Sequence, residues 1–102
     1  MKDILLLCNQ GMSTGFLVQK MQEAAKNRDI DVNIHAESET RLADLWQATD
    51  AILLGPQVGY LEDFVKETID NERPVAVISP IDFGRTNADH VLDQALEMLK
   101  GE

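Results

Sequence analysis

Ile4-Leu5-Leu6-Leu7-Cys8-Asn9-Gln10-Gly11-Met12-Ser13-Thr14-Gly15 is the stretch whose reading decides the fold. Its first four residues form a continuous apolar run, the pattern of a strand covered on both faces. A short segment with two glycines and two hydroxyl residues follows. Beyond it the apolar residues switch to helical spacing: Leu17, Met21 and Ala25 fall four apart, with Phe16 and Ala24 beside them. Strand, tight loop and helix in that order form the opening half of a βαβ crossover.

The alternation continues along the chain. Ala51-Ile52-Leu53-Leu54 and Val75-Ala76-Val77-Ile78 are further apolar runs, expected to be covered on both faces. In Asp31 to Glu37 the apolar Val32, Ile34 and Ala36 alternate with polar residues, as in a half-exposed edge strand. Leu42, Leu45 and Trp46 make a short helical stripe behind Ser38 as its cap. Leu61, Phe64, Val65, Thr68 and Ile69 make a third stripe. Ala88, Val91, Leu92, Ala95, Leu96 and Leu99 form the cleanest one, and Thr86 with Asp89 resembles a capping box before it. Pro80-Ile81-Asp82-Phe83-Gly84 reads as a turn. The order βαβαβαβα implies an α/β fold with right-handed crossovers. The expected architecture is a four-stranded parallel sheet of order 2-1-3-4 with helices on both faces, a three-layer sandwich. The switch point then lies between the first and third strands, where ligands bind beyond the carboxyl ends.

The 102 residues are 44% hydrophobic and 26% charged, which suits one compact domain over 1–102 and argues against disorder. No repeat, linker or low-complexity stretch interrupts it. No apolar run approaches the roughly 20 residues of a membrane span. Met1-Lys2-Asp3 precedes too short an apolar run for a signal peptide, so a cytoplasmic setting is expected. Nine basic against eighteen acidic side chains leave a net charge of -9. Such a surface repels nucleic acid, anionic lipid and, at long range, free phosphate compounds. Phosphate chemistry here would need a strong local cradle. The single cysteine excludes an internal disulfide and a multi-cysteine metal site; no metal and no organic cofactor is implied.

Cys8 is the residue on which the chemistry turns. A lone cysteine after an apolar strand is either buried filler or a working thiol; its position before a glycine-containing loop and a helix favours the second. Glycines let the backbone turn tightly and approach a ligand. Ser13 or Thr14 can cap the helix. Successive loop N–H groups can form an anion-binding nest, and the helix N-terminus adds partial positive charge. The same features favour the thiolate, which is the nucleophilic form of the side chain.

Cys-x-x-Gly-Met-Ser-Thr after an amino-terminal strand resembles the phosphorylation loop of the enzyme IIB component of the sugar phosphotransferase system, lactose/cellobiose (chitobiose) class. Leu53-Leu54-Gly55-Pro56-Gln57-Val58-Gly59-Tyr60 is similar to that class's segment after the third strand. Chain length and layout match as well. The resemblance implies a phosphoryl relay. Cys8 accepts a phosphoryl group from a phosphohistidine on the IIA partner and passes it to a sugar held by the membrane-embedded IIC partner. Asn9, Gln10, Gly11, Met12, Ser13 and Thr14 hold the phosphoryl oxygens, and the protein is recruited to the inner face of the membrane through IIC. The family suggests β-linked disaccharides such as cellobiose, chitobiose or lactose. Gly15 stands where many family members have Ser, which removes one loop hydroxyl.

Two other classes of function stay open on the residues. A low-molecular-weight tyrosine phosphatase has a similar strand–Cys–loop–helix, with Arg six positions after the cysteine. Here that position is Thr14, and Asn9 to Gly15 contains no Lys or Arg, so the guanidinium clamp on the equatorial oxygens is missing. Asp82 as a general acid competes with its reading as a turn residue. A redox thiol module lacks a second cysteine to resolve an oxidised form. His35 and His90 read as surface residues. Gln57 and Tyr60 follow the third strand, beside the cysteine loop, where Gln57 can orient the loop and Tyr60 can form its rim. Arg85 reads as solvent-facing. Met12 is either a partner contact or packed under the loop.

Overall fold

The computed structural model describes residues 1–8 and 11–101, with the backbone alone for 11–13. Strands β1 (Lys2–Leu7), β2 (Val32–Glu37), β3 (Ala51–Leu54) and β4 (Val75–Val77) lie parallel in one sheet of order β2-β1-β3-β4. Helices α1 (Gly11–Asn27), α2 (Leu42–Leu45), α3 (Glu62–Thr68), α4 (Pro80–Gly84) and α5 (Ala88–Lys100) connect and follow them. The expected architecture is the one found.

Alternating side chains of the two central strands fill two cores. Ile4, Leu6 and Leu53 pack with Leu17, Met21 and Ala25 of α1 and Val91, Leu92 and Ala95 of α5. Leu5, Leu7, Ile52 and Leu54 pack on the opposite face with Leu42 of α2 and Val65 of α3. All eight residues of Ile4–Leu7 and Ala51–Leu54 are fully buried; burial of a Leu or Ile side chain stabilises by about 1.5–3 kcal/mol. These continuous apolar runs are what a strand needs when both of its faces are covered.

The edges behave differently. In β2 only Ile34 is buried, as the alternation anticipates. All three residues of β4 are only partly buried, contrary to the expectation of two covered faces. Among the described residues β4 has β3 on one side and no strand on the other, and the expected fourth member of its run, Ile78, lies just past the strand and is fully buried.

Several local expectations are corrected. Phe16 and Phe64, assigned to apolar stripes, are 53% and 54% exposed. Each adjoins a buried residue, Leu17 and Val65, and one step along a helix turns a side chain by about 100°. Pro80–Gly84 is a short helix instead of a turn. Ser79 Oγ accepts from the N–H groups of Ile81 (3.2 Å) and Asp82 (3.4 Å), and Pro80 occupies the first turn, where its missing N–H costs nothing. The cap of α5 is Asn87, whose side chain accepts from His90 N (3.3 Å). Thr86, the expected cap, instead has left-handed backbone (φ 52°) in the turn between α4 and α5. Ser38 does cap, but the element is the 3-10 turn Glu39–Arg41 ahead of α2.

Arg28, just past α1, reaches Asp93 Oδ1 and Asp89 Oδ1 on α5, both at 2.7 Å. Hydrogen bonds to Asp93 first, then Asp89, hold its guanidinium above its already high ordinary value. Among the described residues, no helix is long and apolar enough to cross a membrane.

Candidate functional site around Cys8

The ladder of β1 continues one residue past the strand. Cys8 N donates to Glu37 O (3.1 Å) at the end of β2, and Leu7 O accepts from Gly55 N (3.0 Å) just past β3. Cys8 therefore sits at the carboxyl edge of the central strands, at the switch point of the sheet. It is 5% exposed.

Helix α1 begins at Gly11, so Gly11, Met12, Ser13 and Thr14 form its first turn instead of a loop. This corrects the expected Asn9–Thr14 loop and the assignment of Ser13 or Thr14 as cap. Asn9 and Gln10 lie outside the described residues, as do the side chains of 11–13. The first four N–H groups of a helix have no partner within it, so this turn still offers donors at the carboxyl edge of the sheet. They stand at the positive end of the helix dipole. Thr14 is buried.

The segment after β3 closes the site from the other side. Val58 N donates to Gly55 O (3.0 Å), starting the kinked 3-10 stretch Pro56–Leu61. This turn brings the Gln57 carboxamide over the sulfur: Cys8 Sγ donates to Gln57 Oε1 at 3.9 Å. Tyr60, three residues on, is 78% exposed. Of the two residues expected beside the cysteine, Gln57 touches it and Tyr60 stands on the outside of the same turn.

Gly55 is the residue that sequence reading missed. In the sequence it stands only within the segment that is similar to the family's, with no role of its own. A Cβ built there would stand 2.8 Å from Gln57 Oε1, 3.6 Å from Cys8 Sγ and 3.6 Å from Leu7 O. The available signal was register: Leu7 pairs with Leu54, so the next residues along the two chains, Cys8 and Gly55, are neighbours.

The remaining candidates lie elsewhere. His35 on β2 stands 3.8 Å from both Asp3 Oδ1 and Glu37 Oε2. His90 Nδ1 is 3.2 Å from Asp82 Oδ1, between α5 and α4. Asp82 therefore has a partner of its own. Arg85 is exposed in the turn before α5 and lines a groove with Lys20, Glu23, Arg28 and Asp89, of which Cys8 is not a part.

Comparison with known proteins converges on one family. Residues 3–94 match the family model described as PTS system, Lactose/Cellobiose specific IIB subunit. The chain is 33% identical over 100 residues to the oligo-beta-mannoside-specific EIIB component of Bacillus subtilis (strain 168), covering 97% of each protein. It is 36% identical over 104 residues to the cellobiose-specific EIIB component of Lactococcus lactis subsp. lactis (strain IL1403), covering 96% of each. Among solved structures, the cellobiose-specific phosphotransferase IIB component of Borrelia burgdorferi superposes with a TM-score of 0.83 at 36% identity, covering 98% of this chain and 93% of the other. The lactose-specific IIB domain of Streptococcus pneumoniae superposes at 0.84 and 18% identity, covering 95% and 96%, and shares the fold.

Proposed function

Because the chain belongs to the lactose/cellobiose-specific IIB family and is thus a component of a sugar phosphotransferase system, we propose that it carries a phosphoryl group on Cys8. Residues 1–102 act as one IIB domain. The donor is a phosphohistidine on a IIA protein, and the acceptor is a sugar held by a membrane-embedded IIC protein. The observation that carries this reading is the seat of Cys8: at the carboxyl end of β1, between the ends of β2 and β3, three residues before α1 begins.

Each transfer is an exchange of one bond to phosphorus. In the first, the S–P bond forms as the N–P bond of phosphohistidine breaks; the proton lost from the thiol is balanced by the one taken up by the released imidazole. In the second, a sugar hydroxyl attacks, the O–P bond forms, the S–P bond breaks, and the hydroxyl proton is balanced by the one the sulfur regains. A thiolate is a strong nucleophile, and phosphoryl transfer depends chiefly on positioning and charge stabilisation. N–H donors of the first turn of α1, preorganised by the helix, supply both. Asn9, Gln10, Gly11, Met12, Ser13 and Thr14 surround the phosphoryl group in this reading, with Gln57 and Tyr60 at the rim. The relay requires no metal or organic cofactor in this domain.

Both partners must reach the same sulfur, so they bind in turn. The chain meets the inner face of the membrane only through IIC, within the cytoplasm. The sugar is of the β-linked disaccharide type, chosen by the IIC pocket. Relatives named for oligo-beta-mannoside, cellobiose and galactose match this chain at similar identity, 33%, 36% and 36%, consistent with selection outside this domain.

The test is incubation with a phosphorylated IIA protein of a cellobiose system, followed by intact-mass measurement. Wild type gains one phosphoryl group and Cys8→Ser gains none. A phosphorylated Cys8→Ser protein would move the site elsewhere. Rapid turnover of an aryl phosphate, abolished by Cys8→Ser, would favour a hydrolase instead.

A further inference from the structure

We propose that Gly55 and Gln57 form one positioning device for the Cys8 sulfur, with the Gln57 carboxamide following the sulfur's charge and the bare Gly55 leaving it room to do so. The inference rests on the carrier reading and adds to it a named pair of residues in the turn just past β3.

Two distances meet at one atom. Gln57 Oε1 accepts from Cys8 Sγ at 3.9 Å. The place that a side chain at residue 55 would occupy is already taken by that same oxygen, 2.8 Å from an ideal Cβ. The other neighbours of that Cβ, Sγ and Leu7 O, both lie at an ordinary contact distance of 3.6 Å. Backbone conformation is not the reason for the glycine: at φ -61° and ψ 152°, Gly55 sits where any residue is comfortable. What the glycine provides is room for the Gln57 carboxamide beside the sulfur.

A carboxamide suits a sulfur that changes state, since it bears an acceptor oxygen and two donor hydrogens at one end. In the resting protein the oxygen takes the S–H hydrogen. A thiolate or a phosphoryl group has no hydrogen to give and repels that oxygen. Rotation of the amide then presents Nε2–H, and a hydrogen bond to the charged species is stronger than the neutral one it replaces. Gln57 is exposed at the end of a flexible side chain, so the rotation disturbs no packed core. Gln57 is thus a positioning residue, acting on phosphoryl transfer through Cys8.

The experiment compares wild type with Gly55→Ala, Gln57→Leu, Gln57→Glu and the double variant Gly55→Ala/Gln57→Leu. Two readouts are taken on the full chain: the pH profile of iodoacetamide alkylation at Cys8, and the rate of loading by a phosphorylated IIA protein of a cellobiose system. Thermal melts establish that each variant is folded. Gln57→Glu keeps the shape and the acceptor but adds negative charge. Its alkylation profile moves to higher pH, and loading falls by about tenfold or more. Gln57→Leu lowers loading about three- to tenfold, the size of one hydrogen bond. Gly55→Ala melts like wild type, because among the described residues the group it displaces is the free end of a side chain, yet it loads as slowly as Gln57→Leu. The double variant loses no more than either single change, since both remove the same contact.

Wild-type alkylation profiles and loading rates in both Gly55→Ala and Gln57→Leu would overturn the proposal, as would losses that multiply in the double variant. If wild type takes no phosphoryl group while the alkylation profiles still shift, the carrier reading alone fails. If wild type loads and every variant matches it, the positioning role alone fails.

Discussion

Cys8 gains its meaning from its immediate neighbours. Its own N–H is taken by Glu37 O, its sulfur meets Gln57, and the chain turns into α1 at Gly11. A phosphatase with this layout would need a guanidinium where Thr14 stands, and Thr14 is buried within the first helical turn. The carrier reading therefore predicts that phosphocysteine persists: radiolabelled phosphate on the isolated protein is stable over many transfer times, and aryl phosphate is not turned over. Capping gives a second test at this scale. Asn87, whose side chain accepts from His90 N, caps α5. Asn87→Ala should lower stability by about 1 kcal/mol in urea titration. Thr86→Asn should raise it by some tenths of a kcal/mol, because Asn tolerates the left-handed backbone that Thr86 holds at strain.

Among the elements, the central and edge strands divide the labour. β1 and β3 bury every residue from Ile4 to Leu7 and from Ala51 to Leu54; β2 buries Ile34 alone. Leu53→Ala and Ile34→Ala should each cost about 2–5 kcal/mol, whereas substitution of the exposed Asn33 beside Ile34 should stay within about 0.5 kcal/mol. Chemical denaturation of the three variants checks the contrast. The strands were legible because period and apolar content mark them directly. The capping residue of α5 and the helical turn at Pro80–Gly84 were not. Both depend on which of several polar side chains meets a free N–H, and two adjacent candidates such as Thr86 and Asn87 look alike until the backbone is fixed. The start of α1 was displaced for a similar reason: glycine and hydroxyl residues suit a loop and a first helical turn equally well.

At the scale of the molecule, the order β2-β1-β3-β4 places β1 beside β3. It thereby brings to one carboxyl edge Cys8 with the adjoining first turn of α1 and, from far along the chain, the Gly55–Tyr60 segment. Under the carrier reading this edge serves both partners. Tyr60, 78% exposed, should then contribute to partner recognition without holding the fold. Tyr60→Ala is expected to raise the KM for phosphorylated IIA about five- to tenfold, in line with a loss of more than 1 kcal/mol at an interface residue. Its melting temperature should stay that of wild type; an unchanged KM would remove Tyr60 from the docking surface.

The sequence by itself determined the layers and singled out Cys8 as the residue on which the proposed relay depends. Runs of apolar residues with the right period leave little choice of strand, helix or sheet order, and the one cysteine stands directly after the first run. Strand order already set Gln57 near that cysteine; tertiary structure alone decided that its carboxamide meets the sulfur and that Gly55 leaves it room. Gly55 and Gln57 lie 47 and 49 positions away in the chain, and neither period nor composition joins them to Cys8. Their meeting follows from the pairing of β1 with β3 in a fixed register, which sets Gly55 opposite Cys8 and swings the Gln57 carboxamide into the space that a glycine leaves open.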